Sequence, residues 1–249
     1  MKGVRPDRHG GRIGALALLA CAGCGMDHAE NKGTDTSFIR IPGKPTPSVP
    51  MKAGPVLPTR EKDRFQWHVT THRRQVIDDA IKDQVLREEE EEVIVGKTSD
   101  GPNPGTVFEI RKNGKPFRAE IFDVSSEQVR QVAAGLGDRV TMVPPLPLMR
   151  LPVREGAEQD WIGVLQFRKV RTPGTAYSRV SAQEIVKTPA GEFGAWRVET
   201  VIRTTIEGKP FAFPMTRWFA PGVGMVRQRL YVGNILVEKE LVRYRPGGK

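Results

Sequence analysis

Two histidines, His68 and His72, are the first pair in this chain whose spacing could bind a metal ion. On a helix, a separation of four residues would bring both imidazoles to one face, as in helical zinc motifs. The intervening Val-Thr-Thr favours a strand instead, and there the same separation places the side chains roughly 13 Å apart. Because that distance is too long for one ion, we expect no metal site and no cofactor.

Acidic residues offer a second possible chemistry. The glutamates at residues 88–92 lack the spaced oxygen ligands and the glycine turn of a calcium loop, so we expect a solvated charged face. Asp160 and Glu184 could pair as carboxylates, but nothing in the sequence brings them together. The chain has no Gly-x-Ser-x-Gly elbow and no phosphate-binding glycine-rich loop. The sequence leaves enzymatic activity undecided and favours its absence, with no catalytic residue assigned.

The two cysteines of the chain, Cys21 and Cys24, follow a basic segment and an apolar run over residues 13–20. This order is that of a secretory signal peptide, and the run is far shorter than the roughly 20 residues of a spanning helix. A cysteine at the cleavage point resembles a bacterial lipoprotein signal. Residues 1–23 are therefore predicted to be a lipoprotein signal peptide, cleaved before Cys21 or Cys24, with acyl chains on the new terminal cysteine.

Several consequences follow for compartment and partners. The residue after either cysteine, Ala22 or Gly25, is not aspartate, which by resemblance to enterobacterial sorting implies the bacterial outer membrane, with the facing leaflet left open. Two or more acyl chains would anchor the protein firmly. No cysteine follows Cys24, so the domain cannot carry internal disulfides. A net charge of +10 suits a nearby anionic lipid or polysaccharide, and scattered basic residues give no reason to expect nucleic acid.

The rest of the chain divides into a linker and one domain. Six prolines between Pro42 and Pro58 predict a disordered, extended tether over residues 24–62, and residues 63–249 are predicted to be a single antiparallel β domain. Evenly spaced alternating runs with turn signals indicate a mainly β fold, a curved antiparallel meander that forms a half-barrel or an open barrel. The predicted strands are residues 64–72, 107–111, 117–122, 161–170, 176–187, 193–205, 211–219, 224–232 and 235–244.

Two segments predict short helices within this β domain. Residues 125–134 begin at Ser125, which could cap a helix, and stop at Gly135. Residues 75–92 carry apolar residues at helical spacing and are interpreted as a helix that passes into a strand, with a long irregular strand as the alternative. Prolines are expected to break the chain between two sub-blocks of the sheet at Pro144, Pro145, Pro147 and Pro152.

The carboxyl-terminal block carries a family resemblance. Its motifs are TPAGEF at residues 188–193, WRVE at 196–199 and RWFAPGVGMV at 217–226. Over about residues 155–245 this pattern resembles the DUF3108-like and TapB-like groups of exported bacterial β proteins of unknown function, whose sheets are similar to the curved half-barrels of lipoprotein carriers. The resemblance implies a fold and an exported location, and it implies no reaction.

A half-barrel offers a concave apolar face that suits an acyl chain or a partner's helix. We therefore expect a membrane-anchored binding module for a hydrophobic ligand or lipid. The alternative is a structural or assembly lipoprotein that binds another envelope protein or a polysaccharide. Seven aromatic residues are the candidate ligand-binding residues: Phe65, Trp67, Trp161, Phe167, Trp196, Phe213 and Trp218.

Overall fold

The computed structural model describes residues 55–77, 80–98, 105–135 and 139–247. Every regular element in these ranges is a β-strand. The predicted signal peptide, both cysteines and most of the predicted tether lie outside the described residues. The strands are β1 (Arg64–Ile77), β2 (Ala80–Thr98), β3 (Gly105–Lys112), β4 (Lys115–Val124), β5 (Gln128–Gly135), β6 (Val140–Arg150), β7 (Glu158–Phe167), β8 (Val170–Thr188), β9 (Gly191–Ile206), β10 (Lys209–Ala220), β11 (Gly224–Val232) and β12 (Ile235–Arg245).

The strands form a closed barrel, which confirms the predicted antiparallel meander and corrects the expectation of a half-barrel or an open barrel. Each strand pairs with its neighbours in the sequence, and β1 also pairs antiparallel with β12. That last ladder runs from the pair Arg64 and Arg245 to the pair Arg73 and Ile235. Because closure removes the free edges of a sheet, the first and last strands satisfy one another's backbone groups.

The segment predicted as a helix over residues 125–134 is instead a turn followed by β5. The Ser125 hydroxyl accepts hydrogen bonds from the backbone N–H groups of Glu127 and Gln128, which is capping chemistry used in a turn. Serine makes the same local bonds at helix starts and at turns, so the pattern did not distinguish them. Pairing with β4 and β6 on both sides then favours the strand.

The segment predicted as a helix passing into a strand, residues 75–92, is extended wherever the structure describes it. Its residues belong to the end of β1 and to the long strand β2, as the alternative interpretation held. Val85 belongs to the apolar residues at helical spacing, and Leu86 follows it. Their side chains are 51% and 37% exposed. The described residues of this segment pair with neighbouring strands instead, and that pairing favours the extended conformation.

Three of the four prolines predicted to break the chain, Pro144, Pro145 and Pro147, lie inside β6, whereas Pro152 follows the end of this strand at Arg150. This strand pairs with β7 from Val140 to Val143, and with β5 on both sides of the prolines. The register of β6 against β5 shifts between Gln131, which pairs with Leu146, and Ala133, which pairs with Thr141. Proline lacks the N–H that a central ladder needs, so β6 accommodates these residues by irregular pairing rather than by ending.

The main hydrophobic core fills the barrel interior. Along β1, Phe65, Trp67 and Val69 are buried at alternate positions, as expected when one face of a strand points inwards. A smaller cluster of Ile121, Val132 and Ala133 lies apart from this core. None of the described residues belongs to a helix with the length and hydropathy that a membrane crossing requires.

One end of the barrel is covered by the residues that precede β1. Leu57 is 3% exposed and packs in the main core. The backbone carbonyl of Pro55 accepts a hydrogen bond from the N–H of Gly222. The last residues of the segment predicted as a tether therefore pack on the barrel, and Leu57 reaches its interior.

Candidate binding site in the barrel lumen

The barrel interior contains charged side chains at strand positions whose side chains alternation directs inwards. Glu91 alternates with buried Val93 along β2, and Lys239 alternates with buried Leu241 along β12. Arg217 lies on β10, two residues from buried Phe219. Each of these three charged residues is at most 4% exposed. Since ionised groups are rarely buried without partners, this part of the lumen is a candidate functional site.

Glu91 collects three cationic groups. Its Oε2 lies 2.7 Å from Lys239 Nζ and 3.0 Å from Arg118 Nη2, and its Oε1 lies 3.8 Å from Lys112 Nζ. Lys112 also binds the neighbouring inward carboxylate of Glu89. The glutamate run predicted as a solvated charged face is therefore divided by strand alternation, because Glu91 points into the lumen and is 2% exposed.

Arg217 is less completely paired than the other lumenal cations. Its Nη2 donates to Gln131 Oε1 at 3.2 Å and lies 3.7 Å from Glu120 Oε2. The guanidinium also lies 5.9 Å from the centre of the Phe122 ring. Its Nε and Nη1 are buried without a hydrogen-bond partner. Burial lowers the pKa of Arg217 below its ordinary value, and the Glu120 carboxylate acts against that effect.

A polar cavity adjoins this arginine. The centre of a water-sized sphere can move through about 30 Å³ of it, which is enough for a small number of waters or a small polar group. The buried Oε1 of Gln228, which also lines the cavity, has no hydrogen-bond partner. The lining combines charged and amide side chains with apolar ones: Arg118, Glu120, Gln131, Phe213, Arg217, Gln228 and Lys239.

A second cavity, which is mainly apolar, shares two lining residues with the polar cavity. By the same measure its volume is about 40 Å³. Glu120 and Lys239 line both cavities, so the two spaces lie next to each other at these side chains. The remaining lining is largely aromatic and aliphatic and includes Leu57, Phe65, Trp67, Phe108, Phe122 and Phe219.

The aromatic side chains of this cavity pack on one another. Phe65 stacks on Tyr244 with ring centres 4.9 Å apart, and Phe108 meets Phe122 edge to face at 5.2 Å. Such pairs stabilise each other beyond the area that they bury. The rings therefore form a fixed apolar wall, next to a cluster of cationic groups.

Three of the seven predicted ligand-binding residues line these cavities. Phe65 and Trp67 lie in the apolar cavity, and Phe213 lies in the polar one. Phe167 and Trp196 are half-buried and pack against the main core. The structure thus brings part of the predicted set together at the site.

Trp161 has a structural place in the core. Its indole N–H donates to the carbonyl of Pro144 at 2.8 Å. A Cβ added at Gly163 would lie 2.4 Å from its ring, and one added at Gly174 would lie 3.3 Å from it. The ring therefore occupies the space that two glycines leave open on β7 and β8.

Trp218 lines neither cavity. Its ring centre is 5.8 Å from each of the guanidinium groups of Arg227 and Arg229, which alternate with buried residues along β11. Its indole N–H donates to the Glu184 carboxylate. The side chain is buried and belongs to the main core cluster.

The sequence interpretation missed the charged half of the site. Along β10 the alternation of Phe213, Met215, Arg217 and Phe219 already places Arg217 on the apolar face. Along β12, Lys239 falls between Val237 and Leu241 in the same way. A charged residue at an inward position of a strand was therefore the available signal.

The described residues contain no candidate metal centre. Among the described ranges, no group of three or more His, Cys, Asp or Glu side chains is arranged to hold an ion. The arrangement consists of an apolar cavity, a buried cluster of cations and a few acceptors.

The fold can be compared with known proteins. A proposed exported protein with a YmcC-like fold from Bacteroides fragilis is 15% identical, with a TM-score of 0.44 over 76% of this chain and 98% of that chain. A proposed lipoprotein from Parabacteroides distasonis is 13% identical, with a TM-score of 0.46 over 78% of this chain and 100% of that chain. The hypothetical lipoprotein YmcC from Escherichia coli is 11% identical, with a TM-score of 0.34 over 77% and 90% of the two chains.

Likeness at this level carries no conclusion about function. A comparison with curated proteins gives no match. The family comparison covers the block from β8 to the first residues of β12, where the motifs at residues 188–193, 196–199 and 217–226 lie. Residues 175–237 match the model of the DUF3108-like family, which confirms the resemblance predicted from those motifs.

Proposed function

We propose that this chain is a membrane-anchored envelope lipoprotein whose barrel interior binds a small hydrophobic ligand. The anchor would be an acylated Cys21 or Cys24 behind the predicted signal peptide, in the bacterial outer membrane. The observation that carries the binding proposal is the apolar cavity of about 40 Å³ lined by Phe65, Trp67 and Phe108.

The physical argument concerns packing. Protein interiors are close-packed, with few voids larger than a water molecule, and an apolar void forfeits dispersion contacts along its whole lining. A ligand with an alkyl chain would recover those contacts and remove its own apolar surface from water. The cavity itself has room for only a few water-sized groups, so a longer alkyl chain would have to displace Leu57, which lines the cavity and belongs to the segment that covers this end of the barrel.

Octanol tests the proposal because it has a short alkyl chain and no charge. Isothermal titration calorimetry on the purified full-length chain should show saturable binding of octanol. Val93→Phe should weaken that binding by about tenfold or more, because Val93 lines the apolar cavity and the larger ring would fill it. Ile94→Phe is the matched control, since the next residue along the strand points to the opposite face.

Two results would count against hydrophobic-ligand binding. The first is the absence of any saturable heat with octanol. The second is an equal loss of affinity in both phenylalanine variants, which would locate binding outside the cavity. Circular dichroism of both variants would establish that the comparison is made between folded proteins.

A structural or assembly role is the second candidate, and the hairpin of β1 and β2 favours it. Residues 80–91 of β2 pair with β1, whereas the described ladder to β3 starts at Glu92. Val85 and Leu86 are exposed on this hairpin. Substituting both residues with serine should abolish cross-linking to an envelope partner and leave octanol binding unchanged if this second role holds.

A further inference from the structure

We infer that the ligand of the lumen is an anionic amphiphile, with a carboxylate or phosphate head held by Arg217 and an alkyl part in the apolar cavity. This inference rests on the proposed binding function and specifies its ligand class. It depends on three observations: the unpartnered groups on Arg217, the charge balance of the lumen, and the contact between the two cavities.

Arg217 has unused hydrogen-bonding capacity at a buried position. The side chain is 3% exposed, and its Nε and Nη1 have no hydrogen-bond partner. Buried polar groups are almost always paired, and each exception calls for an explanation. A guanidinium presents its donors in a planar fork that matches a carboxylate or a phosphate. Because Nε and Nη1 lie on different edges of the guanidinium, one anion would satisfy one of them and share Nη2 with Gln131.

The charge balance of the lumenal cluster points the same way. Its cationic members are Arg87, Lys112, Arg118, Arg217 and Lys239, and its carboxylates are Glu89, Glu91 and Glu120. Glu91 and Glu89 bind the two lysines, Arg118 and the more exposed Arg87, whereas Arg217 reaches only the Glu120 carboxylate at 3.7 Å within this described cluster. The cluster thus has more positive than negative charges, and an anionic group on Arg217 would reduce that excess.

The position of the two cavities explains why the anion would carry an alkyl chain. Glu120 and Lys239 line both the polar cavity at Arg217 and the apolar cavity at Phe65. A ligand with its head group on the guanidinium would therefore have its alkyl part beside the aromatic space. The unpartnered Gln228 Oε1 in the polar cavity adds an acceptor, which a phosphate monoester bearing a P–OH could use and a carboxylate could not.

A head-group series on the full-length chain tests this inference. Calorimetric titrations would use octanoate, octyl phosphate, octanol and octylamine, with acetate and inorganic phosphate as anions without an alkyl chain. Octanoate or octyl phosphate should bind at least about tenfold more tightly than octanol, and octylamine more weakly. The preference between octanoate and octyl phosphate then identifies the head group.

Arg217→Gln should reduce the affinity for the anionic octyl compound to about that for octanol. Arg229→Gln is the matched control, because Arg229 lies on the outer face of the adjacent strand and binds Glu238. Arg217→Lys keeps the charge without the planar fork and should retain part of the preference. The head-group series on the unaltered protein decides the question even where a variant fails to fold.

The outcomes separate this inference from the function on which it rests. Octanol binding with no gain for either anion would overturn the anionic ligand and leave hydrophobic binding standing. No binding of any octyl compound would overturn both. Acetate or inorganic phosphate binding as tightly as its octyl counterpart would also overturn the amphiphile, because the alkyl chain would then contribute nothing.

Discussion

Glu91 holds together a set of buried cations that lie on three different strands. Lys239 comes from β12, and Arg118 and Lys112 come from β4 and β3. Transfer of such groups from water is costly unless each has a partner of opposite charge. The carboxylate of Glu91 therefore stabilises the folded barrel chiefly by preventing uncompensated charge in the lumen.

Glu91→Gln should destabilise the protein by roughly 3 kcal/mol, because it leaves buried cations without their carboxylate. Glu90→Gln is the matched control one residue away, at an exposed position, and should change the free energy of unfolding by no more than about 0.5 kcal/mol. Urea unfolding followed by circular dichroism measures both variants. Equal effects would show that the Glu91 contacts contribute no more than a surface glutamate does.

The aromatic residues of the candidate site could be predicted from the sequence, and its charged residues could not. Phe65, Trp67 and Phe213 stood out because they are aromatic and alternate along their strands. Arg217 and Lys239 occupy equally inward positions, but a charge in a strand is usually taken as solvent-exposed. Which lumenal partners would compensate them depends on strands far apart in the sequence, as the contact between Arg217 and Gln131 shows.

At the scale of elements, β7 and β8 approach each other closely beneath an indole. A Cβ at Gly163 would lie 2.4 Å from the Trp161 ring and 2.6 Å from the carbonyl oxygen of Val143. Neither neighbour is the flexible end of a side chain, so the indole and the backbone of β6 at Val143 would have to shift. Glycine at this position lets Trp161 lie flat on the sheet and fill the core.

Gly163→Ala should therefore destabilise the barrel by about 1–3 kcal/mol through overpacking. Gly96→Ala serves as the comparison, because a Cβ at Gly96 would meet no atom within 4 Å. The midpoint of thermal unfolding should fall for the first variant and stay close to the original for the second. A similar midpoint for both would mean that the indole moves aside without cost.

Local sequence predicted the elements unevenly for a physical reason. The carboxyl-terminal strands β8 to β12 were predicted closely because each has clear alternation between turn residues. β5 and β2 were assigned to helices because Ser125 and the apolar spacing after Gln75 satisfy helical rules as well. Pairing with neighbouring strands decided both segments, and a single segment does not contain that information.

At the scale of the whole molecule, closure depends on the two ends of the domain. The Asp63 carboxylate, 1% exposed, accepts hydrogen bonds from the backbone N–H of Gly247 and from the Tyr244 hydroxyl at 3.3 Å. These contacts lie beside the first pair of the ladder between β1 and β12. No local pattern encodes a pairing between residues so far apart, and for that reason the sequence predicted a meander without its closure.

This seam gives the barrel a specific response to alkaline pH. Burial, and then the nearby Asp63 carboxylate, raise the pKa of Tyr244 above its ordinary value. The folded state therefore retains the phenolic proton at a pH where the unfolded chain, with a tyrosine pKa of about 10, has lost it. Its contribution to stability is complete below the unfolded pKa and is lost as the pH rises through the folded pKa.

Tyr244→Phe should thus reduce the steepness with which the free energy of unfolding falls above about pH 10. The variant also loses the hydrogen bond to Asp63, which lowers stability by about 1 kcal/mol at neutral pH. Tyr231→Phe is the control, because that ring lies against Arg74 at 5.5 Å on the outer surface rather than at the seam. Urea unfolding at a series of pH values separates the two effects. If both variants keep the slope of the unaltered protein, the ionisation of Tyr244 does not govern closure, and the hydrogen bonds of the β1–β12 ladder hold the barrel shut by themselves.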